Sequence, residues 1–415
     1  MSDRNTHLDG LRGLAAFIVV IVHGIIAFDF AFFSGEVKHS LVPWDISISG
    51  APLLLPMAGN LSVCVFFALS GYVLSHSFSN TRLGITALLL KRYTRFTLPI
   101  LLTCLISYAL LASGLTENHQ MAAISKSTWL ANQMQQTPSL SQALQEGLYR
   151  ALVQTAPFAT SYNTSLWTMP IEFLGSLILI GVFSLTRQRT SCSKTCGRDR
   201  IFLLAALGVL GFSSYLGLFA FGALLNLTQV QRKVSPKVAA ILLGAGIFLG
   251  TIPYSALPWS IMRPFVERTL PTVTGIPFPH SLVSFYHSLG AILILIAANS
   301  WLPFRRMLSS RLFRFLGNIS FPLYLIHIPL LTSVVCASAL AMLHGGLPYV
   351  WTMVLSLVLL VMVSISVATA LLFICERPSV TLSGRVGLVT DILVRKIATF
   401  SRRRTLSPAQ KVLGD

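Results

Sequence analysis

The chain has 415 residues, of which 54% are apolar and only 11% charged, against about 25% charged residues in an ordinary soluble domain. So little charge cannot cover a water-facing surface of this size, which excludes a large soluble domain. The formal net charge of +18 invites a nucleic-acid reading, and the placement of the basic residues excludes that as well.

Long apolar stretches, among them Leu11–Phe28, Leu61–Phe78, Leu98–Leu111, Ile319–Ala341 and Val350–Cys375, approach the roughly 20 residues that a bilayer-crossing helix needs. They predict an all-α fold: a polytopic transmembrane bundle of about ten spans, over roughly 11–29, 61–79, 97–114, 168–186, 201–211, 213–227, 238–252, 281–299, 319–342 and 350–375. The first run carries Asp9 and Arg12 at its base and has no small-residue cleavage site after it, so it is expected to stay as a span. The stretch Ile201–Leu227 fits either one long tilted helix or two short ones. The small, polar Gly211-Phe212-Ser213-Ser214 and the parity of the spans favour two.

With ten spans, almost all Lys and Arg residues fall in alternate loops. The other side keeps only Lys38, Lys126, Arg150, Arg263 and Arg268. By the positive-inside rule both termini are cytoplasmic, and the basic charge faces membrane lipid rather than nucleic acid. The longer outer segments, 30–60, 115–166 and 253–280, carry Trp44, Trp129, Tyr162, Tyr254, Trp259 and His280, which read as an interfacial belt or as the roof of a substrate site. The expected organisation is a membrane domain over 1–378 and a basic cytoplasmic tail over 379–415, amphipathic from Val386 to Phe400 and suited to an anionic leaflet.

Ionisable side chains inside spans are costly, so each calls for a partner or a task. Arg12 and His23 lie eleven residues apart on the first helix, about three turns, which puts them on one face with His23 roughly 16 Å above Arg12. An imidazole near mid-membrane is a candidate general base, because its charge changes near neutral pH. The competing reading is a histidine bonded to a neighbouring helix. Asp9, three residues before Arg12, is placed to pair with it, or the arginine meets a lipid phosphate.

These residues also carry a family resemblance. Leu8-Asp9-Gly10-Leu11-Arg12-Gly13-Leu14-Ala15-Ala16 through His23 resembles the opening signature of acyltransferase family three, the integral membrane acyl-CoA-dependent O-acyltransferases. Five further stretches resemble that family in order: Phe66-Phe67-Ala68-Leu69-Ser70-Gly71-Tyr72; Lys91-Arg92-Tyr93-Thr94-Arg95-Phe96-Thr97-Leu98-Pro99; Ser165-Leu166-Trp167 with Glu172; Phe315-Leu316-Gly317-Asn318-Ile319-Ser320 with Tyr324-Leu325-Ile326-His327; and Glu376-Arg377-Pro378. The likeness runs from about residue 7 to 378, and six motifs in order form a specific joint signal. Pro170 departs from the usual pattern and bears on where the helix carrying Glu172 begins.

The resemblance implies a cytoplasmic acyl-CoA donor, most simply acetyl-CoA, with no bound cofactor or metal, and transfer to a hydroxyl of a carbohydrate or lipid-linked acceptor at or beyond the outer face. It points to the plasma (inner) membrane of a bacterium. His23 is then the base, with Glu172 near the outer end of its span orienting the acceptor. Arg12, Arg92 and Arg95 receive the donor's phosphates from the cytoplasmic side. Ser70, Trp167, Tyr324 and His327 are supporting candidates, although Ser70-Gly71 also suits close helix packing and His327 also suits a packed residue beside Tyr324. No G-x-S-x-G elbow, metal-spaced His/Cys cluster or phosphate loop is present in the sequence. The rival from another class is a secondary transporter or exporter, against which the lack of a detectable internal repeat counts.

Overall fold

The computed structural model describes residues 6–49, 54–154, 160–188, 193–211, 215–252 and 282–405. The outer residues Tyr254, Trp259 and His280, and the Phe212-Ser213-Ser214 part of the expected turn, lie outside the described residues. Among the described residues the regular structure is entirely helical, as backbone polar groups in an apolar solvent require.

The principal helices are α1 (Thr6–Phe28), α2 (Gly59–Asn80), α3 (Ile85–Ala112), α4 (Met169–Gln188), α5 (Ser193–Leu210), α6 (Leu216–Thr228), α7 (Pro236–Gly250) and α8 (Leu282–Ser300). They are followed by α9 (Arg311–His344) and α10 (Tyr349–Leu371), and a single π turn over Leu372–Glu376 joins α10 to α11 (Arg377–Thr405). Each expected span has a helix. Among the described residues six helical stretches are long and apolar enough to cross a membrane: Thr6–Phe28, Gly59–Asn80, Ile85–Ala112, Thr164–Thr186, Arg311–His344 and Tyr349–Phe400. A seventh is formed if Ser284–Ser300 and Leu302–Leu308, which meet at 95°, count as one span. Helices α6 and α7 are apolar but shorter.

The region Ile201–Leu227 is two helices that turn back on one another, with the Gly217 N–H donating to the Gly211 carbonyl at 3.0 Å. Helix α3 begins at Ile85, twelve residues before the expected boundary at 97, so Lys91, Arg92 and Arg95 stand on a helix and not in a loop. No helix breaker lies between Gly84 and Pro99, and Glu172 and Glu376 meet the Arg92 and Arg95 charges. The basic tail is also helical. It continues α10 and packs antiparallel along α3, with Gly387 against Lys91, the Asp391 carboxylate accepting from the Gly84 N–H at 2.9 Å, and the Arg395 guanidinium donating to the Arg82 carbonyl at 3.0 Å.

Contacts between helices show their directions. Helix α1 runs parallel to α9, pairing Gly13 with Gly317 and His23 with His327, and antiparallel to α10, pairing Phe28 with Tyr349 and Gly24 with Leu360. Helices α2 and α4 run parallel, through Ser70 with Glu172 and Phe78 with Phe183. Helices α7 and α8 run antiparallel, through Gly250 with Gly290 and Gly246 with Ile294.

The α1–α9 contact depends on glycine. A Cβ on Gly13 would sit 2.3 Å from the Gly317 nitrogen, and one on Gly317 would sit 2.3 Å from the Asp9 carbonyl oxygen. Backbones approach this closely in membranes where small residues line the seam. Gly13→Leu should therefore lower the thermal unfolding midpoint in detergent, by overpacking worth about 1–3 kcal/mol. Gly181→Leu, where an added Cβ meets nothing within 4 Å, should leave the midpoint in place. Equal midpoints for the two variants would refute the close-packed seam.

Candidate active site

A cavity of about 210 Å³ opens between α1, α2, α3, α4 and α9. Three guanidiniums and three carboxylates line it, and they pair one to one. On α1, Arg12 donates to the Asp9 carboxylate at 3.0 Å, to Ser320 Oγ at 3.0 Å and to the Gly317 carbonyl at 3.4 Å. Arg92 donates to Glu172 Oε1 at 3.1 Å, and Ser70 Oγ donates to the same oxygen at 2.7 Å. Arg95 pairs through both of its terminal nitrogens with the Glu376 carboxylate and donates to Ser379 Oγ at 2.9 Å. Apolar walls from Phe66, Phe67, Phe96 and Phe321 surround these pairs, and the Arg92 guanidinium lies 4.5 Å over the Phe96 ring.

Glu172 and Arg92, expected at opposite faces of the membrane, are in contact. The reason is the segment before α4. Ser161, Tyr162, Asn163, Thr164, Ser165 and Thr168 are all buried, so this stretch enters the bundle and α4 starts inside it, with Glu172 in its first turn. Asn163 Nδ2 donates to the Leu325 carbonyl of α9 at 2.6 Å. The Glu146 carboxylate accepts from Ser161 Oγ at 2.5 Å and from the Tyr162 N–H at 3.1 Å. Burial raises the Glu146 carboxyl above the usual carboxylate range, against these hydrogen bonds, which favour the anion.

The cavity ends at Tyr324 and Thr168. The Tyr324 hydroxyl donates to the Ser165 carbonyl at 2.9 Å and lies 3.0 Å from Thr168 Oγ1. One turn further along α9 is His327, fully buried, with its ring 5.9 Å from that of Tyr324. Its Nε2 lies 2.8 Å from Nδ1 of His23. The two rings are nearly coplanar, at 10°, with centroids 5.0 Å apart, the geometry of imidazoles hydrogen-bonded edge to edge, in which one nitrogen donates and the other accepts. Trp129, from the segment between α3 and α4, lies parallel to His23 at 5.0 Å.

The structure thus collects Asp9, Arg12, Ser70, Arg92, Arg95, Glu172 and Tyr324 around one cavity and sets His23 with His327 just beyond its end. His23 itself is not on the cavity wall. Trp167 is turned elsewhere, against Tyr215 at 5.9 Å and toward a small recess beside Glu146. Three participants went unselected in the sequence. Ser320 and Glu376 lay in noted motifs, and Trp129 among the outer aromatics; the signal for Glu376 was a carboxylate at the end of an apolar span, which demands a cation. Among the described residues no group of three or more His, Cys, Asp or Glu side chains is arranged to hold a metal ion.

Removing one member of a buried pair strands the other charge. Glu172→Ala should cost about 3–5 kcal/mol of stability, whereas the double variant Glu172→Ala/Arg92→Leu should recover much of that loss. Additive losses in a thermal-unfolding double-mutant cycle would show that the pair is not coupled.

Comparison with known proteins gives the family. Residues 5–373 match the family described as an acyltransferase domain. The chain is 25% identical to "Acyltransferase clz18" of Cochliobolus lunatus over 79% of its length and 82% of that protein's. It is 25% identical to "Acyltransferase R4" of a Phoma species, over 66% of this chain and 68% of that one. The same identity holds to "O-acetyltransferase PaAT-1" of Phomopsis amygdali, over 79% and 72%. No solved structure matches. With the family matched over nearly the whole helical bundle, the chain belongs to the membrane-embedded acyltransferase domain family and is an acyl-transferring enzyme.

Proposed function

We propose that the protein moves an acyl group, most simply acetyl, from acyl-CoA to a hydroxyl, with His23 as general base. The observation that carries this reading is the hydrogen-bonded His23–His327 pair just beyond the end of a cavity lined with charged groups. In this reading the donor arrives at the Arg12 end and its thioester passes Tyr324, whose side chain moves aside. The acceptor hydroxyl reaches the imidazole from the other side. His23 donates from Nδ1 to His327 Nε2, which leaves His23 Nε2 free to take the hydroxyl proton. The oxygen attacks the thioester carbonyl, the C–O bond forms as the C–S bond breaks, and the imidazolium returns its proton to the departing thiolate. The name of the Phomopsis relative, an O-acetyltransferase, supports transfer of acetyl to oxygen. Family membership favours group transfer over solute export.

The same reading takes the chain as ten crossings with both termini cytoplasmic. The parallel packing of α1 with α9 supports an even number of crossings from the start of one to the start of the other, and the basic loops supply the orientation. A carbohydrate or lipid-linked hydroxyl at the outer face remains the proposed acceptor class. The three relatives are fungal, so the reading keeps an integral membrane location and gives up the bacterial plasma membrane.

Thiol release from acetyl-CoA by the purified protein, followed in the presence of cell-derived acceptors, tests it. His23→Ala should lower turnover by about 10²–10⁴-fold, the usual weight of a general base. Wild-type turnover in that variant would end the assignment. His327→Leu should also slow the reaction and shift its pH–rate profile, whereas His327→Gln, whose carbonyl oxygen accepts a hydrogen bond, should restore part of it. Identical profiles for all three proteins would remove His327 from the mechanism.

A further inference from the structure

Inside the main cavity every guanidinium already has a carboxylate: Arg12 has Asp9, Arg92 has Glu172, and Arg95 has Glu376. A polyphosphate placed there would have to break those pairs, leaving largely buried carboxylates (Glu172 and Glu376) and the half-buried Asp9 beside its own charge. The paired lining instead suits a neutral, hydrogen-bonding chain. Next to it lies a more open cavity of about 360 Å³, lined by Thr6, Asp9, Arg311, Arg314, Phe315 and Asn318. Asp9 and Asn318 belong to both cavities, so the two adjoin. Arg311 and Arg314 stand one turn apart on α9, exposed, and neither side chain has an ion pair or hydrogen bond among the described residues.

Resting on the acyl-CoA reading above, we propose that Arg311 and Arg314 bind the phosphates of the acyl donor. The two guanidiniums form a phosphate clamp at the mouth, and the neutral amide-bearing arm of the donor lies in the charge-balanced cavity behind it. Arg92 and Arg95 then shape the channel and do not hold phosphate. The distances agree: from Arg314 to His327 is thirteen positions along α9, roughly 20 Å at the helical rise, a span that an extended pantetheine arm covers. Guanidinium matches phosphate geometry bidentately, and two unpaired guanidiniums beside the opening of an otherwise neutralised cavity are where a phosphate gains most. The same chemistry would also recognise a phospholipid headgroup, and the test separates the two sources.

The protein is reconstituted in nanodiscs of neutral lipid, and thiol release is measured with acetyl-CoA and with acetyl-pantetheine, which carries no phosphate. Arg311→Gln/Arg314→Gln should raise KM for acetyl-CoA by about tenfold or more, the loss expected of a charge-assisted contact. It should leave kcat and the acetyl-pantetheine KM near wild type, and flatten the salt dependence of acetyl-CoA use. Both side chains are exposed, so the thermal midpoint should not move. An unchanged acetyl-CoA KM in a working enzyme would overturn the clamp and leave the acyl-CoA reading intact. A KM change that appears only when anionic lipid is added would assign the arginines to lipid headgroups and likewise overturn it. Absence of thiol release from acetyl-CoA in the wild type would overturn the donor reading itself, and the clamp with it.

Discussion

The close parallel approach of α1 and α9 is the constraint on which the rest of the site depends. Glycines at 13 and 317 remove the side chains that would hold the two backbones apart, and Gly10 does the same against Leu308, just before α9. Because the helices then lie in contact, short reaches suffice to cross between them. Arg12 reaches Ser320 and the Gly317 carbonyl, and His23 reaches His327. Parallel packing also gives both helices the same polarity, so the arginine of α1 faces α9 near its start and the histidine faces it at its middle. The distance between Arg12 and the imidazole pair is therefore set by one helix pair.

The three ion pairs answer a different demand. A lone guanidinium or carboxylate among Phe66, Phe96 and Phe321 would carry a desolvation cost of several kcal/mol. A pair built wholly for stability could be replaced by apolar residues of the same shape, often without loss. What the pairs provide that apolar residues would not is a polar lining: a cavity with hydrogen-bonding walls and no strong net field. Such a lining suits a neutral, hydrogen-bonding group better than an ion, which would have to compete with the pairs already formed.

Much of the helical framework was legible because composition alone demands it: few charges over 415 residues leave long apolar runs that have only one stable form in lipid. The Arg12–His23 relation was legible too, since both lie on one uninterrupted helix and spacing along a helix is geometry. What could not be read was depth. Lys91, Arg92 and Arg95 mark an interface under the positive-inside rule, yet the helix continues through them because Glu172 and Glu376 meet two of the three charges. Glu376 is 281 residues from Arg95, and Asn163 is 162 from the Leu325 carbonyl that draws its segment inward. Periodicity carries no information across such separations. Glu172 was thus assigned to an outer face from its place in the chain, whereas its position follows from a buried segment with no apolar signature. Its polar residues are satisfied by one another and by partners on other elements.

That buried segment links the two ends of the site. Its Ser165 carbonyl and Thr168 hydroxyl hold Tyr324, the side chain between the cavity and His327. It leads directly into the first turn of α4, from which Glu172 reaches Arg92 and Ser70. At its other end Glu146 ties Ser161 and Tyr162 to the helical turn Glu146–Arg150. A displacement of this segment sufficient to free Tyr324 would therefore also pull on Glu172. Tyr324 and Glu172 are therefore both placed by one segment: residues 161–168 hold the first through Ser165 and Thr168 and lead directly into the helix that carries the second.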